Sequence, residues 1–110
     1  MLLNDPSYVE AARAFAARIL GEGGATTKSR LEFAWRQALQ RSPRADEART
    51  ITALLEEQLG VYRATPDAAK ALLTASGDAP VPAKIPADEL AAWTHVARVL
   101  FNLHEFITRE

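Results

Sequence analysis

One stretch of this chain leaves little choice of architecture: residues 86–110, PADELAAWTHVARVLFNLHEFITRE. Set at 100° per residue, Leu90, Trp93, Val96, Ala97, Leu100, Phe101, Leu103 and Ile107 sweep a broad arc of about 160°. A helix that broadly apolar needs neighbours on more than one side. The pattern predicts an all-α bundle of about five helices with the C-terminal helix at its centre. Composition agrees, since alanine and leucine are prominent among the 48 % hydrophobic residues and β-branched residues are scarce. At 110 residues the expectation is a single helical domain over 1–110.

The other helices follow from their caps. Asp5-Pro6 reads as N-cap and first helical position, because proline needs no N–H there. Tyr8, Ala12, Phe15 and Ile19 then form a stripe that Val9, Ala16 and Leu20 widen, while Glu10, Arg13 and Arg18 fall off it. Gly21, Gly23 and Gly24 end this helix. Thr26 or Thr27 caps a second helix to about residue 41, with Leu31, Ala34, Trp35, Ala38 and Leu39 inward and Phe33 off the face. Ser42-Pro43 is expected to open a third helix to about Arg63, with Ala48, Ile51, Leu55, Leu59 and Tyr62 as its core face and Leu54 and Val61 on a flank. Thr65-Pro66-Asp67 starts a short fourth helix carrying Ala68, Ala69, Leu72 and Leu73, which Ser76-Gly77 ends. Residues 77–86 hold three prolines and no periodicity, so they read as an extended connection.

On the last helix, His95, Arg98, Asn102, Glu105 and Arg109 make a narrow polar stripe opposite the apolar arc. That stripe is the candidate interaction surface, weighed against a simply solvated face with a Glu105–Arg109 pair. His104 falls inside the apolar arc instead, and its place in the last turn favours the protonated ring. His104-Glu105 starts like a zinc-protease helix, but Thr108 stands where the second histidine would have to be. His95 cannot replace it from the opposite face. Gly21 to Gly24 followed by Lys28-Ser29 lacks the phosphate-loop spacing, with Thr27 just before the lysine and Glu22 at the earlier glycine position.

No nucleophile elbow is present, and the chain has no cysteine for thiolate chemistry, thiolate metal sites or haem attachment. No carboxylate sits alone in an apolar stretch where burial would raise its pKa for acid–base work. No catalytic, metal-ligating or cofactor-binding set is expected in this chain. Arg36, Arg41, Arg44 and Arg49 cluster near the second and third helices, but Glu32, Asp46, Glu47, Glu56 and Glu57 interleave with them. With 13 basic against 14 acidic residues, nucleic acid is not an expected partner. No apolar run reaches the roughly 18 residues that span a bilayer, so membrane insertion is not expected either.

Four segments together carry a family resemblance. They are LLNDPSYVEAARAFAARI, FAWRQALQRSPRADEA, VYRATPDAAKALLTASGDAPVP and ELAAWTHVARVLFNLHEFITRE. In that order they resemble the C-terminal end of a bacterial family catalogued as domain of unknown function 1553, found typically in planctomycetes and related bacteria. The family-typical positions are Asn4, Asp5, Pro6, Arg41, Pro43, Glu47, Trp93, Asn102, Glu105, Phe106 and Arg109. His104 departs from an expected aspartate and Gln40 from an expected glycine. The resemblance implies a large exported, periplasmic protein carrying a cytochrome c-like domain upstream, of which this chain is the C-terminal fragment. It implies a structural or interaction module that packs against its own upstream domains or another protein. The alternative is a domain that completes a redox or hydrolytic active site with those upstream domains.

Overall fold

The computed structural model describes residues 6–74 and 86–108, with side chains over 10–72 and 86–103. Five α-helices make up the described chain: α1 (Pro6–Glu22), α2 (Thr27–Leu39), α3 (Ala45–Ala64), α4 (Pro66–Thr74) and α5 (Ala87–Thr108). The radius of gyration is 13.2 Å. Helix α5 packs against each of the other four, while α1 lies on α2 and α3 on α4. The broad apolar arc read from its sequence is the reason. Leu90, Ala91, Ala92, Trp93, Thr94, Val96 and Ala97 are all buried, so this part of the helix is enclosed nearly all round. The Thr94 hydroxyl tolerates that burial by donating to the Leu90 carbonyl at 2.6 Å within its own helix.

The stripes of the outer helices converge on α5. Ala12, Phe15, Ala16 and Ile19 of α1 are buried, and Phe15 stacks on Phe101 with ring centroids 5.4 Å apart. Leu31, Ala34 and Trp35 come from α2, Ile51, Leu55 and Tyr62 from α3, and Ala69 from α4. Arg13 departs from its expected place off the face: it is only 5 % exposed. It lies beside Leu20 on the helical wheel, and the small side chains of Ala12 and Ala16 let neighbouring helices come close enough to cover it. Phe33 resolves as a contact: it packs on the core, and the Arg18 guanidinium lies 6.0 Å from its ring centre.

The helix ends repeat the cap logic with two shifts. The Thr26 hydroxyl accepts from the Ser29 amide at 3.1 Å and starts α2. Gly23 is buried where α1 turns into α2; a Cβ there would fall 2.5 Å from the Ile19 carbonyl oxygen and 3.0 Å from the Arg30 Cα. Helix α2 stops at Leu39, short of residue 41, because Gln40 adopts the left-handed conformation at φ 60° and donates its N–H to the Arg36 carbonyl. Helix α3 begins at Ala45 and not at Pro43. The Ser42 hydroxyl points to Glu32 at 3.4 Å, and the cap position falls to Arg44, whose N–H donates to Glu47 Oε1 at 2.9 Å. Helix α4 starts at Pro66 as its proline predicts. The expected stop at Ser76-Gly77 and residues 77–85 of the connection lie outside the described residues.

Candidate interaction surface

The polar stripe of α5 meets the last turns of α3. Successive stripe residues three and four apart rise along one line of the helix, so each successive one sits farther from the enclosed part. His95 and Arg98 are half-buried and Asn102 is exposed. Glu105 and Arg109, the remaining members, lie outside the described side chains, as do His104, Phe106 and Ile107. The structure thus brings His95 and Arg98 together and sets Asn102 one turn beyond them.

Opposite His95 stands Tyr62. Its position in the α3 stripe directs the ring inward, where it reaches α5. The Tyr62 hydroxyl and His95 Nε2 are 2.6 Å apart, with the rings 5.7 Å apart and inclined by 23°. Burial lowers the His95 pKa, and the nearby Arg98 charge lowers it further. Burial raises the Tyr62 pKa, against a smaller opposing effect of Arg98. The imidazole is therefore neutral at pH 7, with Nε2 bonded to Tyr62. Sequence reading placed His95 in the stripe and Tyr62 in the core. Nothing at a separation of 33 residues announced their bond.

Beside this pair lies a shallow hollow of about 390 Å³ lined by Leu54, His95, Arg98 and Val99. Its walls are apolar apart from the two nitrogen-bearing side chains. Val61, on the same α3 flank as Leu54, is 48 % exposed and is the exposed large hydrophobic of the described chain. A second hollow of about 270 Å³ opens on the other side of Tyr62, between Arg63, Lys70 and Asp88. There Arg63 Nε donates to Asp88 at 3.2 Å, and on α2 Arg30 lies 3.9 Å from Glu89. Both carboxylates sit in the first turn of α5, where the helix dipole favours them.

Two of the arginines near the α2–α3 junction, Arg36 and Arg41, are paired with carboxylates. Arg36 pairs with Glu32 at 3.1 Å, and Arg41 grips Glu47 through two bonds of 2.8 and 2.9 Å. That grip and the Arg44 N–H hold the Glu47 carboxyl down at about 2. Glu47 thus ties the turn to the first turn of α3, so the family-typical residues Arg41 and Glu47 serve the scaffold. Trp93, 2 % exposed, serves the core. Among the described residues, no three His, Asp or Glu gather as a metal site requires. No helix among them is long and apolar enough to cross a membrane.

No curated protein and no solved structure matches the chain. One family model does, described as "Protein of unknown function (DUF1553)" and named PSD1, over residues 1–55. The match takes in α1, α2 and the Arg41–Glu47 turn, and it stops within α3, before the α5 stretch that also carried the resemblance. With half of its residues under that model, the chain belongs to the DUF1553 family of proteins of unknown function.

Proposed function

We propose that this chain is the C-terminal helical module of a larger exported protein of the planctomycete type, associated with a cytochrome c-like domain, and that it works by docking. Its partner surface is the α3–α5 face: His95, Arg98 and Asn102, continued by Glu105 and Arg109. The partner is the upstream part of the same protein or another protein. One observation carries this reading. On α5, whose stretch from Leu90 to Ala97 is mostly buried, the stripe residues His95 and Arg98 line a largely apolar hollow with Leu54 and Val99, and Val61 stays exposed on the same α3 flank as Leu54. Apolar surface framed by a few polar groups is what a docking interface presents. The direct test is a pull-down of the separately expressed upstream region by this chain. Retention of that region supports the reading, and no detectable association counts against it.

A second reading draws on the Tyr62–His95 pair. A neutral imidazole bonded to a phenol beside a hollow is a group able to take up a proton, and the face then completes an active site with an upstream domain. Alanine at His95, at Asn102 and at Glu105 in the full-length protein separates the two. If none of these substitutions changes any activity that protein has, the second reading is finished.

A further inference from the structure

The bond between Tyr62 and His95 joins the last turn of α3 to the middle of α5, at the edge of the hollow that the proposed docking face presents. Both partners are tightly placed. Tyr62 is 8 % exposed, and His95 is half-buried with its ring stacked on that of Tyr62. We propose that this pair is a proton-operated latch of the α3–α5 face, closed while the imidazole is neutral and released in mild acid.

The charges around the ring set the direction. On α5, Arg98 stands one turn away, and its positive charge opposes a second one on the imidazole. On α3, the groups on that side are the neutral Tyr62 hydroxyl and the apolar Leu54; Arg63 is turned to Asp88, at the start of α5. On α4, Lys70 lines the neighbouring hollow with Tyr62 and adds no negative charge. A proton on His95 thus enters a half-buried, cationic setting. It also turns Nε2 into an obligate donor, so the Tyr62 hydroxyl can then only accept from it. As pH falls through the ordinary histidine value of 6.5, the unfolded or detached ring takes the proton first, and the closed arrangement loses ground. The consequence at the surface is a hollow whose Leu54 and Val99 walls move apart.

The latch rests on reading this face as a docking surface, but its test needs no partner, so the two fail separately. The 110-residue chain carrying His104→Gln, which leaves His95 the only histidine, is titrated by NMR from about pH 7.5 to about pH 5. The readouts are the His95 ring signals, the Leu54 and Val99 methyl signals and the melting temperature. The expected result is methyl signals that move with the His95 titration and a melting temperature that falls by on the order of 4 °C. His95→Gln, which keeps a polar atom in reach of Tyr62 and cannot titrate, holds both constant over that range. Tyr62→Phe, which deletes only the hydroxyl, already shows the acid-form methyl positions at neutral pH. Methyl signals that ignore the His95 titration, or that move equally in His95→Gln, overturn the latch. So does Tyr62→Phe with the methyl positions of the neutral parent.

Discussion

Gln40 shows how a single backbone angle decides whether a residue suits its place. At φ 60° a side chain crowds its own backbone, and glycine alone adopts that region without cost. The resemblance expected glycine at this position, and the structure supplies the physical reason: α2 ends there in a left-handed cap. Gln40→Gly is therefore expected to stabilise the fold by roughly 0.5–1 kcal/mol in urea unfolding. Seven residues on, Glu47 works through charge. Its carboxyl falls from an ordinary 4.5 to about 2 when folded, because Arg41 and the Arg44 N–H favour the anion. The stability it adds is complete above about pH 4.5 and drains away as pH falls towards 2. Glu47→Ala should cost on the order of 1 kcal/mol at neutral pH, a cap bond and a partly solvated ion pair together. The same variant should flatten the acid limb of the stability curve, a difference that equilibrium unfolding at several pH values resolves. This turn was only half legible in the sequence. Cap-plus-proline at Ser42-Pro43 pointed to a helix start, but the start moved to Ala45 because Ser42 faces Glu32 and Glu47 reaches back to Arg44. Local side-chain bonds made across a turn outrank the residue-type signal.

At the scale of helices, periodicity carried most of the reading. The stripes of α1, α2 and α3 and the breadth of the α5 arc depend only on which faces are apolar, and buried faces obey that rule. Arg13 escaped it, since a charged side chain at the rim of a stripe is covered or solvated according to how close the next helix comes. Three substitutions test the packing. Trp93→Ala opens a void in the enclosed part of α5 and should cost about 3–5 kcal/mol in chemical denaturation. A loss below about 1 kcal/mol would contradict the central place of this helix. Trp35 is as deeply buried, yet its indole N–H has no acceptor among the described residues. Trp35→Phe removes that unsatisfied donor, so the transfer loss is partly offset and the change should cost less than Trp93→Ala by at least about 1 kcal/mol. Gly23→Ala acts at the α1–α2 junction, where the added methyl meets backbone on two helices. It should destabilise by about 1–3 kcal/mol, whereas the same change at Gly21, with open space around it, should not.

Across the whole molecule, the central helix and the candidate surface are one design. A helix wrapped by four others has one narrow side left, and the polar stripe occupies it where α3 and α5 part. His95, Arg98 and Asn102 were legible as that stripe from spacing alone. Tyr62, Leu54 and Val61, which complete the surface, were not, because a bond or hollow between distant helices depends on how they are docked and leaves no mark in either segment. The membership of the chain in a family of unknown function assigns no reaction, so the surface itself is the best guide to what the chain does. Its most direct test is to map amide hydrogen exchange and methyl signals of this chain with and without the proposed upstream region. The account predicts protection and shifts centred on Leu54, Val61, His95, Val99 and Asn102, abolished by Val61→Asp, a change at an exposed site that leaves folding stability within about 0.5 kcal/mol. Protection confined to α1 and α2, or binding that Val61→Asp leaves intact, would contradict it.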